Sequence, residues 1–190
     1  ELDRRGMAPS LLVGHSLGGA VSLATALRHP DKVSGLALVA PLTHMPSKVS
    51  AAFAAFSIRQ PWLRALVGWT LAVPLSIRKR EQVMDIVFGP EAVPADFPIR
   101  GGGLLGLRPS HFIAASSDMN ALESVMPLMQ MRYDDLSLPI GVLYGRHDRI
   151  LDPQEQGQAL SDRLSIVELE LIDGGHMLPI TQPDTTIDFI

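Results

Sequence analysis

The chain has 190 residues, a length that predicts one domain or the larger part of one. Hydrophobic residues account for 46% and charged residues for 19%, which argues against intrinsic disorder. The 16 basic and 20 acidic residues give a formal charge of -4, which argues against a nucleic-acid-binding surface. Cysteine is absent, and this excludes disulfides, thiolate zinc sites and a cysteine nucleophile.

Neither a membrane span nor a targeting segment is expected. The longest uncharged run, residues 6–27, contains Pro9 and four glycines and would make a poor spanning helix. The chain starts at Glu1 rather than Met, and no basic-then-apolar leader follows. A cytoplasmic location is expected, and a signal peptide upstream of Glu1 is compatible with the sequence. Its last residues, 186–190, read as the beginning of a helix, and we therefore expect an interior piece of a longer protein. The sequence does not indicate an oligomeric state.

The first elements predict a strand, a turn, a helix and a second strand. Residues 10–13 are apolar and lead into a glycine-rich turn at 14–19. Residues 20–27 are rich in alanine and leucine and predict a helix that ends before Pro30. Residues 33–39 then read as a buried strand. Short apolar runs separated by a helix favour parallel strands joined by a crossover.

The middle of the chain predicts a helical insertion. Several prolines cut its helical patterns, and no convincing strand pattern occurs between residues 46 and 131. The candidate helices span residues 51–58, 62–73, 76–87 and 109–131.

The alternation of strand and helix then returns. Residues 140–144 predict a strand, and a helix capped by Asp152 follows to about residue 163. Residues 167–171 alternate apolar and acidic side chains, as in a strand with one wetter face. The sequence thus predicts an α/β fold with a parallel sheet. Its parts are a first core part (1–45), a helical lid (46–131) and a second core part (132–190).

The glycine-rich turn carries the sharpest chemical pattern. Gly14-x-Ser16-x-Gly18 lies directly between a predicted strand and a predicted helix, which is the context of a nucleophile elbow. The residues two before and two after the serine must be small, because neighbouring backbone packs against them. The helix N-terminus offers free N–H groups to an oxyanion, and the N–H of Leu17 is the natural first donor. A plain turn is the alternative, since the phosphate-loop patterns are absent.

A serine nucleophile needs a base, and the base needs an acid that orients it. The chain offers both in the order Ser, Asp, His, because Asp148 follows one predicted strand and His176 follows the next. The carboxyl ends of parallel strands meet at one edge of a sheet, so both side chains are predicted to lie near Ser16. We expect Asp148 to hold the imidazole tautomer and His176 to take the serine proton.

Other acids and histidines are weaker candidates. Asp152 is better explained as a helix cap. Asp173 is close to His176 in sequence and is expected only to shape the turn before it. His15 is expected to pack under the elbow or to line the pocket, because adjacent residues on a tight turn point apart. The remaining histidines have no partner pattern; they are His29, His44, His111 and His147.

Three motifs together resemble the α/β-hydrolase superfamily, in its serine-nucleophile branch with a helical lid. They are GHSLGG at residues 14–19, YGRHD at 144–148 and GGH at 174–176. The resemblance extends over nearly the whole chain as an order of elements. It implies a mostly parallel, eight-stranded sheet with the serine after the fifth strand. On that correspondence the chain holds a partial α/β-hydrolase fold with the fifth to eighth strands.

The same resemblance implies parts that are not found in this sequence. Family members carry a His-Gly loop upstream of the elbow, and this loop supplies the second oxyanion N–H. Losing one such donor typically slows catalysis ~100- to 1,000-fold. Missing strands would also leave the elbow strand with an unpaired apolar edge, which is an aggregation hazard. We therefore expect residues 1–190 alone to be poorly soluble or inactive.

The resemblance implies a serine hydrolase that cleaves a small or medium apolar carboxylic ester through an acyl-enzyme. No metal or organic cofactor is expected, and the partner is a small-molecule substrate. Carbon–carbon bond or amide hydrolysis on the same triad is one alternative, and a non-catalytic ligand-binding member of the fold is another. Apolar side chains are candidates for an acyl pocket, although helix-on-helix packing would explain most of them equally well. The candidate pocket residues are Phe53, Trp62, Trp69 and Met177.

Overall fold

The computed structural model describes residues 3–48, 50–51 and 53–190. Within these ranges, four strands form one parallel sheet in which each strand lies beside its neighbour in sequence. The strands are β1 (Ser10–His15), β2 (Val33–Val39), β3 (Ile140–Gly145) and β4 (Val167–Ile172). The parallel strands predicted from the apolar runs are therefore confirmed, each within one or two residues of its expected bounds.

Helices connect and cover the strands. Their bounds are α1 (Leu17–Arg28), α2 (Pro61–Thr70), α3 (Ala72–Arg78), α4 (Arg80–Phe88), α5 (Pro109–Gln130), α6 (Ala159–Arg163), α7 (Leu178–Thr181) and α8 (Pro183–Phe189). A π turn (Gln154–Gln158) precedes α6. Short 3-10 turns occur at Asp3–Arg5, Pro30–Lys32, Ala54–Phe56, Gly103–Leu107 and Tyr133–Asp135. Among the described residues, no helix has both the length and the apolar character needed to cross a bilayer.

The helix boundaries between β2 and β3 differ from those predicted. The helix expected at residues 51–58 is wrong, because the described part of that stretch holds only the turn Ala54–Phe56. The next two helices break at Leu71 and Lys79 rather than near Pro74. Pro74 lies in the first turn of α3, where a backbone N–H has no intrahelical partner, so the proline is tolerated there.

The two faces of the sheet are covered unequally. On one face Leu38 and Val142 pack in the main core with residues of α1 and of the C-terminal half of α5. On the other face Leu143 packs with Leu178 at the start of α7, and Phe189 of α8 lies against the same cluster. These C-terminal helices do not extend over β1, where Leu11 is 47% exposed and Val13 is 53% exposed. The edge strand β1 therefore presents apolar side chains to solvent.

Candidate active site

Three side chains meet at the carboxyl ends of the strands. Ser16 follows β1, Asp148 lies three residues after β3, and His176 lies four residues after β4. The Nε2 atom of His176 is 3.0 Å from the Ser16 hydroxyl oxygen, and its Nδ1 atom is 2.7 Å from Oδ2 of Asp148. The structure thus brings together the serine, the aspartate and the histidine that the sequence singled out.

The serine stands on a strained turn. Ser16 has φ 54° and ψ -120°, a backbone conformation that residues other than glycine rarely adopt. Its carbonyl accepts the N–H groups of Gly19 and Leu42, both at 2.9 Å, so the turn is fastened to α1 and to the segment after β2. These contacts over-determine the backbone and hold the hydroxyl outward from the strand.

Crowding around the turn explains two of its glycines. A Cβ on Gly14 would lie 2.6 Å from the Gly18 carbonyl, and one on Gly19 would lie 2.4 Å from the Pro41 side chain. Apart from its chain neighbours and the backbone of α1, no described residue comes within 4 Å of the corresponding point on Gly18. The close packing that was expected two residues after the serine is therefore found three residues after it.

The carboxylate of Asp148 is fixed on both oxygens. Its side chain is fully buried, and Oδ1 accepts the backbone N–H groups of Ile150 at 2.7 Å and Leu151 at 3.0 Å. Oδ2 faces the imidazole of His176. Because the backbone donors hold one oxygen, the other oxygen has little freedom to turn away from the ring.

The loops that carry Asp148 and His176 lie directly against each other. The N–H of His147 donates to the Gly174 carbonyl at 2.9 Å. A Cβ on Gly145 would lie 2.3 Å from the carbonyl oxygens of both Gly174 and Gly175. Only a residue without a side chain allows this approach, so Gly145 permits the two loops to close on one another.

A second histidine supports the loop from the side of the elbow. Nε2 of His15 is 2.9 Å from the His176 carbonyl oxygen, and the two rings lie 5.0 Å apart between centroids. Burial lowers the pKa of His15 below its ordinary value, so the ring is neutral at pH 7 and donates one N–H to that carbonyl. His15 thus packs beside His176 and contacts its carbonyl rather than the Ser16 hydroxyl.

A buried phenol supports the segment that contacts the elbow. The Tyr144 hydroxyl donates to the Pro41 carbonyl, and burial raises the pKa of Tyr144 well above its ordinary value. The phenol therefore keeps its proton and remains a hydrogen-bond donor. Pro41 in turn lies against Gly19, so the aromatic ring of β3 supports the serine turn indirectly.

The positive end of α1 lies behind the serine. Leu17 is the first residue of this helix, and the N–H groups of a first helical turn have no intrahelical partner. The same end carries the positive pole of the helix dipole. An anionic oxygen bound to the carbon that Ser16 attacks would lie close to these donors.

The competing acids have other roles. Oδ1 of Asp152 accepts the Gln154 N–H at 2.8 Å, next to a π turn whose N-cap position is Pro153. Oδ1 of Asp173 is 2.9 Å from Nε2 of His147, in an exposed pair on the surface of the two loops. Neither carboxylate contacts the imidazole of His176.

The candidate pocket residues do not surround one cavity. Trp62 is 68% exposed and Trp69 is 71% exposed, so these two side chains neither line a pocket nor pack helix on helix. Both lie on the outer face of α2, which turns Arg64 and Gly68 inward instead. Phe53 is half-buried against the main core, and Met177 is half-buried at the start of α7.

One cavity lies beside the aspartate loop. It measures about 420 Å³ and is open to solvent. Its charged lining side chains are Lys48, Arg146, Arg149, Asp148, Asp152 and Glu155. None of the four candidate pocket residues belongs to this lining.

Sequence patterns did not point to two polar residues near the site. The carboxylate of Glu91 accepts the Gly175 N–H, and the buried Gln156 binds the segment that leaves β2. Gln156 Oε1 accepts the N–H groups of Thr43 at 2.8 Å and His44 at 2.9 Å. No motif marks either residue, because each contact joins segments more than 80 residues apart.

Comparison with known proteins identifies the fold. A model of the Alpha/beta hydrolase family matches residues 2–189. No curated protein sequence matches the chain significantly.

Solved structures resemble the chain at low identity. The 2-hydroxy-6-oxo-6-phenylhexa-2,4-dienoate hydrolase of Rhodococcus sp. strain RHA1 is 22% identical, with a TM-score of 0.72 over 98% of this chain and 64% of that one. An enol-lactonase of Burkholderia xenovorans LB400 is 21% identical, with a TM-score of 0.66 over 99% and 68%. A thermophilic esterase of Thermogutta terrifontis is 21% identical, with a TM-score of 0.61 over 98% and 65%.

The structural matches cover only part of each relative, at low sequence identity. The chain spans less than two thirds of the Rhodococcus hydrolase, and identities near one fifth show likeness of fold. The family model, by contrast, spans all but the terminal residues. On that match the chain belongs to the alpha/beta hydrolase family.

Proposed function

We propose that this chain carries the catalytic triad of a serine hydrolase that cleaves a small or medium apolar carboxylic ester. The observation that carries the proposal is the pair of contacts on His176, 3.0 Å to the Ser16 hydroxyl and 2.7 Å to the Asp148 carboxylate. Both lie within the range in which a general base can abstract a proton. The strained backbone of Ser16 supports the same role.

The aspartate decides which imidazole nitrogen is basic. A carboxylate accepts hydrogen bonds only, so Asp148 requires the proton of neutral His176 to reside on Nδ1. The lone pair on Nε2 then faces the Ser16 hydroxyl and accepts its proton as the oxygen attacks the ester carbonyl carbon. The imidazolium that forms is stabilised by the buried carboxylate.

In the remaining steps His176 first donates the proton that it has accepted and then acts as a base again. The carbonyl oxygen becomes an oxyanion and accepts the N–H of Leu17, with the second donor expected from a segment upstream of the elbow. Nε2–H of His176 then protonates the leaving alcohol, and the acyl group remains on Ser16. Water attacks this acyl-enzyme with His176 as base, and the acid is released with the serine restored.

The architecture around the site is part of the proposal. We propose that β1–β4 correspond to the fifth to eighth strands of the family and that residues 46–131 form a lid. The proposed preference for an apolar substrate rests on the solvent-facing apolar side chains of this stretch, which are available to contact a substrate although Trp62 and Trp69 do not line the cavity described above. These side chains include Trp62, Leu66, Trp69, Leu71, Leu75 and Ile77.

Carbon–carbon bond hydrolysis is the second candidate. The Rhodococcus structure is a hydrolase of a dienoate, and a meta-cleavage product hydrolase of Pseudomonas fluorescens IP01 is 19% identical to this chain with a TM-score of 0.62. A panel of p-nitrophenyl esters, amides and dienoates distinguishes the two activities, because the substrate with the highest kcat/KM identifies the bond that is cleaved.

The central test labels the serine. We expect a fluorophosphonate probe to modify Ser16 in the full-length protein, and we expect Ser16→Ala to abolish labelling and to lower ester hydrolysis by ~10,000-fold or more. Ser22→Ala is a matched control, because that hydroxyl donates to the Gly18 carbonyl within α1 and does not contact His176. Unchanged ester hydrolysis in Ser16→Ala would refute the assignment. A folded protein that is never labelled would indicate a ligand-binding member instead.

A further inference from the structure

We propose that Glu91 is a positioning residue, which holds the loop of His176 in the geometry that faces Ser16. The inference rests on the hydrolase function proposed above. It assigns to the segment after α4 the role of orienting the proposed base without contacting the substrate. Glu91 does not touch the reacting atoms. It acts on the peptide group next to the proposed base.

The contact is made by both carboxylate oxygens. Oε1 and Oε2 of Glu91 each lie 3.1 Å from the Gly175 nitrogen, so its N–H is shared between them. The Gln182 amide lies 3.4 Å from Oε1 and also donates to the Asp173 carbonyl at 2.6 Å. A hydrogen bond to an ionised acceptor is stronger than one between neutral groups. The N-terminal side of the histidine loop is thus held by a charge.

The loop has few other means of keeping its shape. Gly174 and Gly175 have no side chains to pack, and glycine has a wide choice of backbone conformations. The approach is close enough to require glycine, because a Cβ on Gly175 would lie 2.3 Å from the Gly89 carbonyl. The segment Gly89–Glu91 therefore supplies the restraint that the glycines cannot supply themselves.

Two distant side chains hold the histidine from opposite sides. Glu91 binds the N–H of Gly175, and His15 binds the carbonyl of His176. Between these two anchors lies the backbone that directs the imidazole. His15 comes from the serine turn and Glu91 from the segment after α4, so removing Glu91 takes away the restraint on the Gly175 N–H and leaves the Gly174 carbonyl bound to the His147 N–H.

The same end of α4 also reaches the aspartate loop. Nη1 of Arg149 lies 3.3 Å from the Asp85 carboxylate and 3.3 Å from the Asp85 carbonyl. A Cβ on Gly89 would lie 2.4 Å from the same guanidinium nitrogen. One short segment therefore contacts both loops that orient the imidazole. A shift of α4 is transmitted to the proposed base through Glu91.

The test compares substitutions that differ in their ability to accept the Gly175 N–H. Glu91→Ala removes the acceptor, and a displacement of the imidazole by about an ångström lowers kcat ~10- to 100-fold. KM is expected to change little, because the substitution acts on the orientation of His176 and not on a residue proposed to contact the substrate. Glu91→Gln keeps a neutral acceptor and restores kcat to within about threefold of the wild type. Glu81→Gln, on an exposed residue of α4 away from the Gly175 contact, is the control and is expected to leave kcat unchanged.

A second measurement is independent of turnover. The Nδ1–H of His176, held against the buried Asp148, gives a low-field proton resonance in an NMR spectrum. We expect this resonance to broaden or disappear in Glu91→Ala and to persist in Glu91→Gln. A full-length wild type that is inert towards esters, amides and dienoates would refute the hydrolase function, whereas the NMR comparison would still decide the role of Glu91.

The overturning result is specific. A folded Glu91→Ala protein with wild-type kcat and an unchanged His176 resonance would show that Glu91 only stabilises the fold. If Glu91→Ala does not fold, Glu91→Asp decides, because it keeps the charge and shortens the reach. A lowered kcat in the folded Glu91→Asp protein supports positioning, and a wild-type kcat overturns it.

Discussion

The loops at the strand ends and the helices between β2 and β3 are held in different ways. At the strand ends the side chains of Asp148 and His176 are buried, and backbone N–H groups or neighbouring loops fix every part of them. The helices instead leave large apolar side chains such as Trp62 and Trp69 in solvent. The difference indicates that the strand-end loops hold the side chains of the proposed chemistry more closely than the helices hold their large apolar side chains.

The helices are joined by a small polar cluster. The Ser116 hydroxyl donates to the Phe56 carbonyl at 2.6 Å, and the Asn120 amide donates to the same carbonyl at 3.1 Å. The buried Arg64 donates to the Ile58 carbonyl through Nε at 3.2 Å and Nη2 at 3.1 Å. These donors fasten the irregular segment before α2 onto α5. They add to the apolar contacts of this region, such as the ring contact between Phe56 and Phe112.

The largest expected effect comes from the strand-end loops. In Asp148→Asn the side-chain oxygen still accepts the N–H groups of Ile150 and Leu151, but the amide faces Nδ1 of His176 as a donor. The proton of the imidazole then moves to Nε2, which can no longer accept the Ser16 proton. We predict that kcat falls about 10,000-fold with little change in thermal stability.

Asp152→Asn is the matched control for that substitution. Asp152 lies in the same loop region and accepts the Gln154 N–H without contacting His176. We expect it to keep wild-type ester hydrolysis. Equal losses in the two variants would mean that the loop tolerates no amide, and the tautomer argument would then be wrong.

An intermediate effect is expected in the helices. The double substitution Ser116→Ala with Asn120→Leu leaves the Phe56 carbonyl without these donors. We predict that the free energy of unfolding falls by about 1–3 kcal/mol, measured by urea denaturation. If the helices select the substrate, KM for an apolar ester rises more than kcat falls. The exposed Ser117→Ala is the control, and an equal loss of kcat in the double variant would contradict the division between the two regions.

The smallest expected effect is a pH dependence that arises from His15. Burial lowers its pKa in the folded protein, whereas in the unfolded chain the ring titrates near 6.5. Stability is therefore fully present above that pH and is lost as the pH falls below it, because the unfolded state binds a proton that the folded state excludes. We predict that Tm falls between about pH 7.5 and about pH 5.5, and that His15→Gln reduces this fall.

The buried ring of His44 is a reference for that measurement. Burial also lowers the pKa of His44, but this ring lies next to Thr43 and away from the His176 loop. His44→Gln should reduce the pH dependence of Tm while leaving kcat unchanged. A pH profile of Tm that neither substitution alters would show that other groups govern stability in this range.

The sequence predicted the strands and the three converging side chains because both follow from local patterns. Apolar runs mark β2 and β3. The nucleophile pattern around Ser16 can be identified from the few residues on either side of it. The helix breaks at Leu71 and Lys79 were not predictable from prolines alone, since Pro74 fits within a first turn. Glu91 was not predictable either, because its partner is a backbone N–H whose position depends on the whole fold.

The order of the strands has a consequence for experiments on this protein. Ser16 follows the first strand of the sheet and His176 follows the last, and three strand spacings of about 4.8 Å separate those strands. The 3.0 Å contact between the two side chains therefore requires the histidine loop to lean back across the ends of the two central strands. Covalent modification of the serine would consequently report on correct assembly of the entire sheet, and it could serve as a folding assay in crude extracts.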